Sequence, residues 1–334
     1  MEYIQGELFF PPEPEPVIEE QPKESNKKTW SEIAHSKKKN LDTAKKVKND
    51  EFYTRIEDIE KELQHYKHLF NGKVVYCNCD DPTISDFAAY FLYNFESLGL
   101  KKFICTGYKN FEHGVVSIKE PDKVASLKTL KGNGDFRSDE CLEFLKECDF
   151  VITNPPFSLF REYIQKLMEY GKRFLVIGSQ NAITYKEIYK LIQADLIWLG
   201  YNTPTEFKTK LESPTDEKKQ FVKGGVVYQK FGNICWFTNI VTEKRTKHIP
   251  LTEEYDESKY ERYSNYDAIE VPKVKLIPKD YDGVMGVPIS FLNVYSPTQF
   301  EIVKFRKGED DKDLNVNGVC PYFRILIRKR KAEQ

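Results

Sequence analysis

Short apolar strands alternate with amphipathic helices over residues 73–240, and this alternation constrains the fold more than any other feature of the chain. The predicted strands are short apolar runs, at 73–77, 103–106, 149–153, 174–177, 196–199 and 234–237. Between them, apolar residues recur every three or four positions, as in helices that bury one face. The pattern predicts an α/β fold, with a doubly wound, mostly parallel sheet covered by helices on both faces. Ligands of such sheets bind at the carboxyl ends of the strands.

Two helices next to the first strand have sequence signals of their own. Apolar residues at steps of three and four predict one helix over 52–69. After the strand, Pro82 suits the first position of a second helix, and Asp80 and Asp81 precede it as capping residues. Ile84 begins the apolar stripe that this second helix is expected to bury.

A four-residue motif directly follows the predicted strand 149–153: Asn154, Pro155, Pro156 and Phe157. Two prolines fix φ and remove two backbone donors, so the turn is stiff and its carbonyls point outward. Asn154 adds a side-chain carbonyl, and two such acceptors can hold both hydrogens of an exocyclic amine. That grip localises the nitrogen lone pair for attack on an electrophilic methyl group. Phe157 offers a face for a base lifted out of its stack. The alternative is an ordinary turn that leads into the next helix.

The tetrapeptide is the catalytic motif of amino-group methyltransferases that use S-adenosylmethionine, and the wider sequence resembles the EcoRI-type adenine-specific DNA methyltransferases. The matching stretches lie between residues 49 and 328: NDEFYT (49–54), VVYCNCDDP (74–82), GDFRS (134–138), VITNPPFSLFREY (151–163), ITYKE (183–187), YDGVMGVPISFL (281–292) and CPYFRILI (320–327). The resemblance implies a Rossmann-like methyltransferase fold with C-terminal target-recognition insertions. It also implies methyl transfer from S-adenosylmethionine to the N6 amine of adenine in a specific duplex DNA sequence, by base flipping, as a modification methylase.

The resemblance assigns the cofactor to three segments of the chain. The segment that closes over the methionine end of the cofactor consists of Phe52, Tyr53 and Thr54. The segment that holds its amino and carboxylate groups follows the first strand and consists of Asp80, Asp81 and Pro82. The third segment contacts the cofactor's adenine, where Asp135 accepts from the N6 amine and Phe136 packs on the ring.

Other interpretations of these residues stay open. Asp80 and Asp81 could simply cap a helix, and Asp135 could be a turn residue beside Gly134. The chain also departs from the broader methyltransferase pattern in two places. CNCDDP replaces the usual Gly-x-Gly turn after the first strand, and the second strand lacks an acidic end to bind ribose hydroxyls. The EcoRI-type branch shares the first departure.

The chain divides into three parts by composition. Residues 1–26 carry seven acids and one base, whereas residues 27–48 carry eight lysines and two acids. Such blocks repel internally, so residues 1–48 are expected to form a flexible charged arm, whose lysines either lie along phosphates or belong to a solvated linker. Residues 49–240 form the methyltransferase core, and residues 241–334 contribute DNA recognition.

The arm contains a candidate peptide for binding the DNA sliding clamp, from Gln5 to Phe10 (QGELFF). It resembles the short peptides by which bacterial proteins dock on the clamp, in which Leu8 and Phe9 would enter an apolar pocket while Gln5 supplies an amide. Gly6 stands where leucine is commoner, and a short degenerate peptide also arises by chance.

A lysine-rich segment over 208–230 is a second candidate interface. It contains the Gly224-Gly225 turn, and its lysines could reach guanine edges in the major groove. The alternative is an ordinary surface loop.

Composition excludes several classes of protein. Hydrophobic residues make up 40% of the chain, which is ample for a buried core. No apolar run approaches the roughly 18 residues of a membrane span, and the N-terminal sequence does not resemble a signal peptide. The seven cysteines fit reduced thiols, and the spacing of Cys77 and Cys79 does not fit a zinc site, so no metal is expected. We therefore expect a soluble, cytoplasmic protein. The DNA substrate that the resemblance implies adds association with the nucleoid, and we expect a monomer.

Three functions remain in competition. The leading one is adenine-N6 methylation of duplex DNA. The tetrapeptide alone would also permit methylation of RNA adenine or of protein glutamine. The third is a DNA-binding protein without turnover, against which the intact tetrapeptide argues.

Overall fold

A computed structural model of the protein describes residues 52–331. The α-helices in this range are short, eight to ten residues each: α1 (Ile56–Leu63), α2 (Asp86–Tyr93), α3 (Asp139–Glu147), α4 (Phe160–Glu169) and α5 (Lys186–Gln193). The strands in this range are β1 (Tyr53–Thr54), β2 (Val74–Cys77), β3 (Lys102–Gly107), β4 (Val115–Lys119), β5 (Ser126–Thr129), β6 (Phe150–Thr153), β7 (Arg173–Ser179), β8 (Trp198–Leu199), β9 (Glu206–Lys208), β10 (Gln220–Lys223), β11 (Val226–Lys230), β12 (Ile234–Thr238), β13 (Ile269–Glu270), β14 (Met285–Pro288), β15 (Phe300–Phe305) and β16 (Arg324–Lys329). The charged arm and the candidate clamp peptide lie outside the described residues.

The largest sheet has the strand order β5-β4-β3-β2-β6-β7-β12-β8. Its four central strands are parallel, because β2 pairs in parallel with β3 and β6, and β6 pairs in parallel with β7. The outer strands are antiparallel. This confirms the predicted α/β fold and limits its parallel part to the centre. The chain leaves β2 towards β3 and leaves β6 towards β7, in opposite directions, which opens a crevice between the two loops.

Helices cover both faces of the central sheet. Every residue of β2 is buried, and its side chains alternate between two apolar clusters. Val75 and Cys77 pack in the cluster that contains residues of α1 and α2. Val74 and Tyr76 pack in the cluster that contains residues of α3, α4 and α5. The sheet is therefore doubly wound, as predicted.

The helix predicted to start at Pro82 starts four residues later, at Asp86. Ser85 is its N-cap, since its hydroxyl accepts a backbone hydrogen bond from the first helical turn. Asp81 forms a turn of its own by accepting from the backbone amide two residues on, so it does not cap the helix. Ile84 lies in this turn and is 49% exposed, so its expected place in the buried stripe was wrong.

The helix predicted over 52–69 is also shorter than expected. Tyr53 and Thr54 form β1, α1 ends at Leu63, and a 3-10 turn follows at Lys67–Leu69. Strand β1 belongs to a small sheet with the order β1-β9-β11-β10, in which each neighbouring pair is antiparallel. Strands β1 and β9 have two and three residues, which is too short to show a period in the sequence, so their part in this sheet was not predicted.

A third sheet with the order β13-β14-β16-β15 occupies the C-terminal part, for which the sequence analysis predicted no strands. One apolar cluster contains Phe237 of β12, Ile269 of β13 and Ile327 of β16. The C-terminal sheet therefore shares a core with the central sheet. None of the helices between residues 52 and 331 has the length and apolar character that a membrane span requires.

Candidate active site

The predicted catalytic turn consists of Asn154, Pro155 and Pro156 and is followed by Phe157. It lies between β6 and α4. Strand β6 ends at Thr153, and a short 3-10 helix at Phe157–Leu159 leads into α4. The two prolines between them cannot donate to a strand ladder, which ends the sheet at this point. Pro156 keeps an extended backbone, with φ −58° and ψ 124°, and its carbonyl accepts from the Leu159 amide at 3.0 Å. The motif therefore sits at the carboxyl end of a central parallel strand, as predicted.

The Asn154 amide is held in one orientation. Its Nδ2 donates to the backbone carbonyl of Phe52 on the segment that leads into β1. Its Oδ1 is buried and has no hydrogen-bond partner among residues 52–331. A buried acceptor without a donor costs about 1–3 kcal/mol, so such an atom is a place where a ligand's donor would be favourable. The Phe52 carbonyl thus leaves the acceptor end of the amide open.

Asp80 braces the catalytic turn from the loop after β2. Its Oδ2 accepts from the Thr153 hydroxyl and, at 3.4 Å, from the backbone N–H of Asn154. Its Oδ1 accepts from the Ser85 hydroxyl at 2.7 Å. Burial raises the pKa of Asp80 to about 6, although these hydrogen bonds act in the opposite direction. The structure therefore brings Asp80 against the catalytic turn.

Asp81 points to the other side, towards β3. Its Oδ1 accepts from the Thr83 amide at 3.0 Å and from the Thr83 hydroxyl at 2.6 Å, and its Oδ2 pairs with the Lys109 ammonium. Burial by itself would raise the pKa of Asp81, but the bonds from Lys109 and Thr83 outweigh it, so the pKa is lowered. A Cβ on Gly107 would lie 2.7 Å from the Asp81 Cα, so the ends of β2 and β3 pack with no room for a side chain there. Pro82 is buried beside them.

The segment with Asp135 and Phe136 reaches the same end of the sheet. Gly134 has φ +80°, and a Cβ there would lie 2.4 Å from the Gly107 carbonyl oxygen. Arg137 grips the Asp135 carboxylate through its Nε at 2.9 Å and its Nη2 at 2.7 Å, and this hydrogen bonding lowers the pKa of Asp135. Phe136 is 5% exposed, with its ring edge-on to Tyr163 at 5.0 Å.

The segment with Phe52, Tyr53 and Thr54 lies against the catalytic turn. Besides the Phe52 carbonyl, which contacts Asn154, the Phe52 ring packs edge-on against Phe231 at 4.7 Å. The Thr54 hydroxyl is buried and has no hydrogen-bond partner among the described residues. The structure thus brings together two groups of predicted residues: 52–54 with the catalytic turn, and 80–82 with the segment around Asp135.

Three residues that shape the site were not predicted from the sequence. Thr153 joins Asp80 to the catalytic turn, Lys109 pairs with Asp81, and Arg137 holds Asp135. Arg137 stands two positions after an aspartate in a loop, which is a signal for a local pair. Lys109 lies 28 residues from Asp81, and nothing in the sequence connects the two. Within residues 52–331, no cluster of three or more histidine, cysteine or acidic side chains is arranged to hold a metal ion.

Comparison with known proteins finds matches over most of the chain. A family model described as adenine-specific methyltransferase EcoRI matches residues 40–330. The chain is similar to the Type II methyltransferase M.EcoRI of Escherichia coli, with 46% identity over 322 residues that cover 88% of this chain and 97% of the relative. It is also similar to M.MgeORF184P of Mycoplasma genitalium, with 38% identity over 86% of this chain and 98% of the relative. M.MpnI of Mycoplasma pneumoniae is 37% identical over 86% of this chain and 97% of its own length.

Proposed function

The chain belongs to the EcoRI family of adenine-specific methyltransferases, and from this premise we propose how its own residues perform the reaction. The protein is a site-specific DNA methyltransferase of the restriction–modification type, and its substrate is duplex DNA. The methyl donor is S-adenosylmethionine, and the acceptor is the N6 amine of an adenine within a specific sequence.

One observation carries the assignment of the catalytic turn: the open acceptor at Asn154 Oδ1. Oδ1 and a backbone carbonyl of the Pro155-Pro156 turn accept the two hydrogens of the adenine amine. This pull localises the lone pair on nitrogen, which in adenine is otherwise shared with the ring. The amide cannot turn its donor end towards the substrate, because Nδ2 is held by the Phe52 carbonyl. The turn itself is held by Asp80.

The residues present fit the proposed cofactor. Thr54 has a buried hydroxyl without a described partner, and Asp80 and Asp81 give the loop after β2 a negative charge that complements an α-ammonium. When bound, S-adenosylmethionine supplies an electrophilic methyl group on a sulfonium. Among the described residues Asp135 Oδ2 accepts one hydrogen bond, from Arg137, and so retains capacity for an amine donor. The proposed cofactor-binding residues are Phe52, Tyr53, Thr54, Asp80, Asp81, Pro82, Asp135 and Phe136.

We further propose that the target adenine is flipped out of the duplex. Inside a base-paired stack the amine cannot reach a side chain at the end of a strand, so enzymes of this class extrude the base. Phe157 follows the catalytic turn and is partly exposed, so its ring can stack on the extruded base. Stacking of this kind is worth about 1–3 kcal/mol per base.

Three assignments outside the site complete the proposal. The peptide from Gln5 to Phe10 binds the sliding clamp, the enzyme acts as a monomer, and its DNA substrate places it with the nucleoid in the cytoplasm. Retention on purified clamp tests the first of these. A double variant with Leu8→Ala and Phe9→Ala should be lost from the clamp, and equal retention would refute the assignment.

The main test is transfer of labelled methyl from S-adenosylmethionine to genome-scale duplex DNA, with RNA and bulk protein as parallel substrates. We expect label in DNA alone, recovered as N6-methyladenine, and its loss in the Asn154→Ala variant. Label in RNA or on glutamine would move the function to one of the alternatives. No label on any substrate, with no binding of S-adenosylmethionine by calorimetry, would favour a DNA-binding protein without turnover.

A further inference from the structure

Four side chains form an in-register row across the small sheet. Tyr53 on β1 pairs with Lys208 on β9, Lys208 pairs with Tyr228 on β11, and Tyr228 pairs with Phe221 on β10. Directly paired residues of neighbouring strands project from the same face of a sheet. All four side chains are partly exposed. We refer to Tyr53, Lys208, Tyr228 and Phe221 as the aromatic–lysine row.

The other face of the small sheet is turned towards the core. The next row in register contains Thr54, Phe207 and Gln229, which are 2%, 0% and 8% exposed. Phe207 belongs to the apolar cluster of α1 and α2. Because the two faces of a sheet alternate along each strand, the aromatic–lysine row lies on the outward face.

Lysine ammonium groups lie over two rings of the row. Lys210 Nζ is 5.3 Å from the centre of the Tyr53 ring, and Lys230 Nζ is 4.9 Å from the centre of the Phe221 ring. Among residues 52–331, neither Lys223 nor Lys230 makes a salt bridge to an acidic side chain. Lys208 itself pairs with Asp86 at 2.6 Å, so its charge is already neutralised within the protein. The face therefore combines aromatic surface with the ammonium groups of Lys223 and Lys230, whose charge is available to an anion.

The row begins beside the catalytic turn. Tyr53 directly follows Phe52, whose carbonyl holds the Asn154 amide. Strands in a sheet lie about 4.8 Å apart, so a row across four strands extends about 14 Å away from that point. In duplex DNA one strand advances 3.4 Å along the helix axis per phosphate, so a row parallel to that axis would extend along about four phosphates.

We propose that the aromatic–lysine row binds the DNA strand on one side of the adenine that is methylated. Lysine ammonium groups neutralise its phosphates, and the rings contact the sugar and base faces that extrusion of the adenine exposes. Charge complementarity selects a polyanion as the occupant, and the connection through Phe52 places that polyanion next to the reacting base. The inference rests on the proposed function and narrows the DNA-facing segment 208–230 to one face of one hairpin.

The test compares DNA affinity of two variants with matched controls. One variant carries Phe221→Ala and Tyr228→Ala, and the other carries Lys230→Gln. The controls are Val222→Ala, which is 54% exposed on the opposite face of β10, and Tyr93→Ala, an 81% exposed aromatic at the end of α2. Fluorescence anisotropy with duplex DNA at several salt concentrations, and with RNA in parallel, measures affinity, and calorimetry measures binding of S-adenosylmethionine.

We expect the aromatic variant to weaken DNA binding by about 5–150-fold, which corresponds to one stacked base. Lys230→Gln should make the slope of log affinity against log salt less negative by about 0.9, since one phosphate contact is lost. Both controls should stay within about twofold of the wild type, and binding of S-adenosylmethionine should not change in any variant.

DNA affinity and salt slope equal to the wild type in both row variants would overturn the proposal, and so would a loss seen equally in the controls. If the aromatic variant also loses S-adenosylmethionine binding, its fold is damaged. The salt slope of DNA binding by Lys230→Gln then decides whether the proposal holds. Weaker binding of RNA with unchanged binding of DNA would assign the face to another partner and refute the proposal. A wild type that methylates no DNA is a different result, because it refutes the proposed function itself.

Discussion

The loops that follow β2 and β6 leave neighbouring parallel strands at the same end of the sheet, yet they differ in how their polar side chains are used. In the loop after β2, Asp80 and Asp81 each accept hydrogen bonds through both carboxylate oxygens. In the turn after β6, Asn154 uses its donor and leaves its buried acceptor without a partner among residues 52–331. The comparison indicates that the loop after β2 is a brace, whereas the turn after β6 is prepared for a substrate that brings its own donor.

The largest expected effect comes from Asn154→Ala, which removes the open acceptor. Loss of one preorganised group that stabilises the reacting centre costs about 100–1000-fold in rate, so single-turnover methyl transfer should fall by that factor. DNA and S-adenosylmethionine affinities should stay within a few fold, and the exposed Asn71→Ala should match the wild type. Equal losses in binding and turnover would contradict the role of Asn154 as a group that acts on the amine.

Asp80→Ala tests the other half of the comparison. The substitution leaves the buried hydroxyls of Thr153 and Ser85 without their acceptor, at a cost of about 1–3 kcal/mol for each buried group left unsatisfied. We therefore expect a lower free energy of unfolding in urea titrations, even without cofactor. Unchanged stability, with only cofactor affinity reduced, would show that Asp80 contacts the cofactor but does not brace the turn.

The pH dependence of stability should distinguish Asp80 from an ordinary aspartate. Its pKa is raised from 3.8 to about 6 in the folded protein, so between these values the folded state binds more protons than the unfolded state. Stability of the wild type relative to Asp80→Asn should therefore fall as pH rises from about 4 to 6, by on the order of 3 kcal/mol, and stay constant above. Urea titrations of both proteins across this range measure the difference. A constant difference would mean that burial does not raise the pKa.

Lys109→Met should give the smallest effect. The lysine is 37% exposed, so its pair with Asp81 is partly screened and contributes about 0.2–1 kcal/mol. The pKa of Asp81 is lowered, so this contribution is present above the unfolded pKa near 3.8 and is lost as pH falls through the lower folded value. Urea unfolding of the wild type and the variant at pH 7 and at pH 3 checks this, because the variant should lose more stability at pH 7 than at pH 3. A larger loss at pH 3 than at pH 7 would contradict the assigned pair.

The position of the candidate catalytic turn could be predicted from sequence because its signal is local. Asn154 and the two prolines directly follow an apolar strand, and the structure keeps that order without any long-range information. Asp80 and Asp81 were also placed correctly after β2, but their partners were not. Thr153 is 73 residues from Asp80, so the bond between them depends on the parallel pairing of β2 and β6.

The small sheet could not be predicted for the same physical reason. Strand β1 has two residues and pairs with β9 about 150 residues later, so its register depends on the packing of the whole chain. The Gly224-Gly225 pair was the one local sequence signal for a turn in this sheet. Both glycines have positive φ in the structure, as a tight hairpin turn requires. The helix expected at Pro82 was misplaced because proline at a first helical position is a preference, and the turn made by Asp81 outweighed it here.

The most direct test of the open acceptor compares adenine with purine, which lacks the exocyclic amine, at the target position of a duplex. The target sequence comes from mapping methylated adenines in treated genomic DNA. The wild type should bind the adenine duplex a few fold more tightly than the purine duplex, because Asn154 Oδ1 then gains its missing donor, and Asn154→Ala should abolish that preference. A preference for adenine that persists unchanged in the variant would contradict the account, because the amine would then be recognised by another group.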